Sequence, residues 1–81
     1  MDNAQIYSKL NAIFRKLFGD DGIVVTPQTC AKDIEGWDSL EHIILINTIE
    51  RTFKMKFKMK EVSSMKNVGQ MAEIIAARTK L

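Results

Sequence analysis

One cysteine, one histidine, one proline, one tryptophan and one tyrosine are all that this 81-residue chain holds of those types. Each scarcity excludes something. Cys30 has no second cysteine to pair with, so no internal disulfide framework exists and a reducing compartment is expected. A single histidine and a single cysteine cannot assemble the usual zinc ligand sets, so no metal site is expected. No apolar run approaches the ~20 residues that a bilayer span needs. Met1-Asp2-Asn3-Ala4-Gln5 also lacks the basic and apolar regions of a signal peptide. The expectation is a soluble, cytoplasmic, monomeric chain without membrane association. At 46% hydrophobic and 27% charged residues, one small domain spanning residues 1–81 fits the length and two do not.

The net charge of +2 conceals a polarised distribution. Residues 1–50 carry four basic groups against eight acidic ones. Residues 51–66 carry six basic groups (Arg51, Lys54, Lys56, Lys58, Lys60 and Lys66) against Glu61 alone. Surfaces of opposite sign follow from such a division.

Apolar spacing predicts an all-α fold. Ile6, Leu10, Ile13, Phe14 and Leu17 mark one face of a 3.6-residue period. Gln5, Ser8, Lys9, Asn11, Arg15 and Lys16 lie opposite. Asp2 or Asn3 can cap this helix and Gly19 can end it, giving bounds of about 3–18. Residues 19–37 read as a long connection broken by Asp20-Asp21-Gly22, Thr26-Pro27 and Glu35-Gly36. Ile23, Val24 and Val25 offer a short strand without an obvious partner and are expected instead to plug the core. Ile23, Val25, Ile34 and Trp37 are the candidates for anchoring the loop. The second helix runs from about Ser39 to Phe53, with Asp38 as N-cap and Glu41 completing a capping box.

Beyond Phe53, Lys54-Met55-Lys56-Phe57-Lys58-Met59-Lys60 alternates like a half-buried strand. With nothing to pair against, it is expected to be an extended connection turning Met55, Phe57 and Met59 inward. Residues 60–65 can make one short helical turn. A last helix follows, capped by Asn67 with Gln70 completing the box, its inner face being Val68, Met71, Ile74 and Ile75. The architecture expected is a small four-helix bundle, three main helices plus one short one, with a long loop between the first two.

The second helix carries more apolar residues than one buried stripe requires. At roughly 100° per residue, Leu45, Ile46, Ile49 and Phe53 share a side with His42. Leu40 and Ile44 fall nearly opposite, beside Asn47 and Arg51, with Ile43 between the two groups. Either a neighbouring helix buries Leu40, Ile43 and Ile44, or the patch docks a partner.

Ser39 stands at the head of this helix, where first-turn amides lack intrahelical acceptors and the helix dipole favours an anion. As a hydrolase nucleophile it would need a base and an orienting acid. His42 is three residues on, but Asp38 is committed to capping, and no Gly-x-Ser-x-Gly elbow is present. As a plain helix-start residue it would merely help to cap. The remaining possibility is covalent attachment of a phosphate-linked group.

Gly36-Trp37-Asp38-Ser39-Leu40-Glu41, then Glu50, Phe53, Met55 and Phe57, then Asn67-Val68-Gly69, resemble the acyl carrier protein family over nearly the whole chain. The resemblance implies no catalysis by the chain itself. It implies a 4′-phosphopantetheine arm on Ser39, flanked by Asp38 and Leu40 and added from coenzyme A by a phosphopantetheinyl transferase. The arm would carry an acyl or aminoacyl thioester for a fatty-acid, polyketide or specialised biosynthetic pathway. Partners would be a loading ligase, a ketosynthase or an acyltransferase. The resemblance also implies docking through Leu40, Glu41, Ile43, Ile44, Asn47, Glu50 and Arg51. It implies an acyl pocket lined by Phe14, His42, Leu45, Ile46, Ile49 and Phe53.

Three features depart from that pattern. Ile44 stands where members often have a carboxylate, Arg51 replaces another acid, and Lys54 to Lys60 invert an acidic segment. The competing reading is a non-enzymatic helical module that binds a protein or nucleic acid through the basic 51–66 segment. The alternation of its lysines with apolar residues argues against a continuous basic groove, and no nucleic-acid partner is expected.

Overall fold

Asp2 opens the first helix, its carboxylate accepting the Gln5 amide at 2.8 Å while the Gln5 side chain accepts the Asp2 amide at 3.0 Å. In the computed structural model, which describes all 81 residues, α1 spans Asn3–Phe18 and ends on Gly19 in the left-handed conformation. Arg15 and Lys16 in its last turn face the negative end of the helix dipole. A short 3₁₀ turn, Ala31–Asp33, interrupts the long loop, and α2 covers Ser39–Phe53. The short α3 is Met59–Ser64 and α4 is Val68–Arg78. There is no strand, so the bundle is all-α with three main helices and a minor one.

The core is where the periodicities place it. Ile6, Leu10 and Phe14 of α1 meet Leu45, Ile46, Ile49 and Phe53 of α2 and Val68, Met71, Ala72 and Ile75 of α4. α1 packs against both α2 and α4. Each large side chain withdrawn from water contributes about 1.5–3 kcal/mol before entropy is counted. Ile74, expected on the inner face of α4, is only half-buried, and the small Ala72 takes the deeper position.

The loop between α1 and α2 is tied down by more than its apolar plugs. Val25 and Ile34 are buried, Ile23 and Trp37 half-buried, and Val24 points into solvent at 66% exposure. Asn11 and Arg15 do not lie on a free polar face. The Asn11 Oδ1 accepts the Val25 amide at 2.7 Å, and the Arg15 Nε donates to the Ile23 carbonyl at 2.7 Å. Backbone groups that would otherwise be orphaned are thereby satisfied without a strand. On the 3₁₀ turn, Asp33 accepts the Cys30 amide, a bond that holds its carboxyl below the usual range.

The connection from α2 to α3 corrects one expectation. Met55 is buried and Phe57 half-buried, but Met59 is 89% exposed because α3 has already begun there. The helical period takes over from the alternation and turns Met59 outward. Two capping boxes are also incomplete. Asp38 accepts the Glu41 amide at 2.9 Å, but its own amide bonds the Gly36 carbonyl rather than Glu41. Asn67 accepts the Gln70 amide, while the Gln70 side chain reaches one residue further back, to the Lys66 amide.

The start of α4 is seated on the long loop. The Val68 amide donates to the Thr29 carbonyl at 2.8 Å and the Gly69 amide to the Pro27 carbonyl at 3.0 Å. A Cβ at Gly69 would stand 2.8 Å from that Pro27 oxygen, closer than real Cβ contacts come. At the other end of α4, Arg78 makes a two-pronged ion pair with Glu61 of α3.

Two outcomes follow from these contacts. Gly69→Ala should destabilise the fold by about 1 kcal/mol or more in denaturant titration, because backbone must shift to admit the methyl. This net loss implies a strain of about 2 kcal/mol or more, set against the ~1 kcal/mol gained in helix propensity. Hydrogen bonds from the Arg78 side chain and the Lys58 amide hold the Glu61 carboxyl down at about 2, against an ordinary value of 4.5. A carboxylate with a depressed folded-state pKa stabilises the fold above its unfolded value and loses that contribution as pH falls through the folded one. Glu61→Gln should therefore flatten the fall in stability between about pH 4.5 and about pH 2, measured by denaturant titration across that range.

Candidate functional site

The approach to Ser39 is built by a turn and a wedge. Gly36 has φ +91, a conformation other residues adopt only under strain. The turn delivers Trp37 onto the aromatic end of α1, with its ring 5.2 Å from Phe14 in an edge-to-face arrangement and 6.3 Å from Phe18. On its other side the indole stacks on His42 at 5.9 Å. The Trp37 Nε1–H donates to His42 Nδ1 at 3.1 Å. Because Nδ1 accepts there, the ring proton sits on Nε2, which donates to the Val62 carbonyl at 3.0 Å. One imidazole thus joins the long loop, α2 and α3.

Ser39 is the first residue of α2 and is exposed. Asp38 is extended and caps the Glu41 amide, and its carbonyl accepts the His42 amide at 2.9 Å. The amides of Ser39 and Leu40 have no acceptor within the protein. Two free N–H groups and the positive end of a 15-residue helix therefore surround the Ser39 hydroxyl. Both nitrogens of His42 are engaged by partners other than this serine. The arrangement is an exposed alcohol at a helix start, where a negatively charged substituent is favoured.

Beside Ser39 opens a cleft of about 510 Å³. Trp37, Val62, Met65 and Met71 supply its larger apolar walls, and Asp38, His42, Ser63, Lys66 and Asn67 its polar ones. Of the six residues that the sequence suggests for an acyl pocket, His42 alone borders this space. Phe14, Leu45, Ile49 and Phe53 are fully buried and Ile46 nearly so, packed together in the closed core. Val62 and Met65 went unmarked in the sequence, and Met71 was expected only as part of the inner face of α4, because their meeting at the cleft depends on how α3 lies over the head of α2. Nothing local in their residue types announces it.

The outward face of α2 remains open. Leu40 is 67%, Ile43 55% and Ile44 39% exposed, and no neighbouring helix covers them. Asn47 and Arg51 continue this strip and are exposed, while Glu41 is half-buried. Glu50 is turned elsewhere. Its carboxylate accepts the Phe57 amide at 2.8 Å and lies 4.0 Å from the Lys56 ammonium, with the side chain only 15% exposed.

No protein-family model matches the chain, and no curated protein does either. Solved structures do. One is the solution NMR structure of a holo acyl carrier protein from Geobacter metallireducens, with 43% identity and a TM-score of 0.83. The match covers 89% of this chain and 83% of that one. A second, from Mycobacterium tuberculosis and provisionally named an acyl carrier protein, has 24% identity and a TM-score of 0.79. It covers 89% of this chain and 96% of that one, and supports the fold. A shared helical layout, a serine at the head of α2 and 43% identity across most of both chains lead to one conclusion: this chain belongs to the acyl carrier protein family.

Proposed function

We propose that Ser39 is the attachment point of a 4′-phosphopantetheine group and that the chain carries acyl or aminoacyl cargo between enzymes without catalysing a reaction itself. The observation that carries this reading is an exposed hydroxyl on the first residue of a helix, with the nearest imidazole already occupied on both nitrogens. The similar Geobacter metallireducens protein is described as a holo form, and this chain offers the chemistry such a form needs. The free amides of Ser39 and Leu40 suit a phosphodiester, whose charge the α2 dipole favours. When attached, the group supplies a terminal thiol that holds the cargo as a thioester.

The residues of the chain divide the remaining work. Asp38 fixes the first turn of α2 and so the direction of the Ser39 hydroxyl. Trp37, Val62, Met65 and Met71 offer an apolar wall for the part of a substituent nearest the protein. Behind them Phe14, Leu45, Ile46, Ile49 and Phe53 close the core, and any longer cargo lodges there only by parting these side chains. Leu40, Ile43 and Ile44 provide the first contact for a phosphopantetheinyl transferase and for the ligase, ketosynthase or acyltransferase that uses the arm. Exposed apolar area of this kind on a small domain marks an interaction site. Tethering raises the effective concentration of cargo at each partner.

Incubation with coenzyme A, magnesium and a broad-specificity phosphopantetheinyl transferase should add the mass of one phosphopantetheine, mapped to Ser39 by peptide mass spectrometry. Ser39→Ala should add none, and wild-type protein that remains unmodified under every transferase tried would sink the carrier reading. Ile44→Arg should lower the rate of this modification about tenfold, as loss of one apolar contact at a docking centre predicts, with the helical circular dichroism unchanged.

A further inference from the structure

We infer that the enzyme served by this carrier presents an apolar cleft bordered by carboxylates, its acidic groups facing the C-terminal half of α2. This rests on the carrier reading of Ser39 and adds the chemistry of the partner. On the open face of α2, Leu40, Ile44, Asn47 and Arg51 span an arc of about 60° on the helical wheel at 100° per residue. Lys54 follows as the left-handed C-cap, and all five are exposed. The strip therefore runs from an apolar patch at Ser39 to a cationic end. At 1.5 Å per residue, Arg51 lies about 18 Å along the helix from Ser39.

Neither cation at that end is neutralised. Both ion pairs of the protein lie elsewhere, Lys56 with Glu50 and Arg78 with Glu61. Arg51 and Lys54 form no side-chain hydrogen bond either. The one carboxylate on this half of α2, Glu50, is withdrawn onto the Phe57 amide and shielded from a docking surface. Across the turn, Lys58 and Lys60 are exposed, and Glu61 is already claimed by Arg78. The acidic groups near the apolar patch, Asp38 and Glu41, sit at the Ser39 end, with Asp38 engaged in capping.

A partner approaching this strip thus meets uncompensated positive charge over the second half of its footprint. A basic docking face would be repelled there, and a face with carboxylates would be attracted and oriented. Because the charges are exposed, the effect is carried by encounter and register and is screened by salt over a Debye length of about 10 Å at 0.1 M. The apolar patch supplies the salt-independent part of the contact. Complementarity of charge therefore favours an enzyme face bearing carboxylates over a second copy of this chain docked in parallel, which would bring cation against cation; an antiparallel copy is distinguished by sedimentation.

The test uses the full chain and two forms of one probe enzyme. The first is a ketosynthase whose docking face carries arginine and lysine; the second is the same enzyme with those residues changed to glutamate. Dissociation constants are measured at low ionic strength (about 0.05 M) and again at about 0.5 M, where surface charge is screened. Wild-type protein should prefer the glutamate-faced enzyme by about tenfold or more at low salt, and Arg51→Glu/Lys54→Glu should reverse the preference. Both preferences should collapse at high salt. Equal affinity for the two enzyme forms would overturn the inference, as would a preference that survives high salt or ignores the Arg51→Glu/Lys54→Glu change. A concentration-dependent dimer in sedimentation, abolished by Ile44→Arg, would assign the strip to a second copy and overturn it as well. Since binding is read on unmodified protein, failure here is distinct from failure of Ser39 to accept phosphopantetheine.

Discussion

The bond from the Trp37 indole to His42 joins three segments at the head of α2, where the apolar core alone does not fix their spacing. The long loop reaches α2 through it, and α3 is fastened by the opposite nitrogen of the same ring to Val62. Without that ring the six-residue α3 would rest on Glu61–Arg78 and a few half-buried side chains. A helix so short has little stability of its own. The cleft beside Ser39 exists because α3 is held at this distance from the head of α2. One imidazole, bonded on both nitrogens, therefore shapes the surroundings of Ser39.

The second constraint is the two-sidedness of α2. Leu45, Ile46, Ile49 and Phe53 turn into the core, whereas Leu40, Ile43 and Ile44 lie outside it in solvent. Their exposure beside a serine at a helix start supports the docking role proposed for them. The same division keeps polar atoms out of the interior. Thr29 is the single buried polar residue, and no buried side-chain nitrogen or oxygen lacks a partner.

The helices were legible because their information is local. Asp2, Asp38 and Asn67 each take the cap that their position before an apolar period announces, and Gly19 ends α1 as a left-handed residue. The exposed apolar face of α2 was also visible as a surplus in its pattern, although only the structure decides that no helix covers it. What stayed hidden was long-range. Asn11 and Arg15 look like solvated residues on α1, yet they hold the loop backbone 14 and 8 residues away. Glu50 looks like a surface acid until the chain after Phe53 folds back to give it an amide. Met59 belongs to an alternating run by sequence and to a helix by structure, because the period changes in the middle of the run. The cleft walls Val62, Met65 and Met71 come from segments whose meeting no local pattern encodes.

Trp37 is the only indole in the chain, and it serves at once as loop anchor, hydrogen-bond donor and wall of the cleft beside Ser39. The protein consequently contains its own optical probe at the place where occupancy matters. Whatever enters that cleft changes the polarity and quenching around a single indole, whose emission is isolated from that of Tyr7 by exciting at the long-wavelength edge of its absorption. Occupied and vacant forms should be distinguishable by emission in solution, with no dye or label attached.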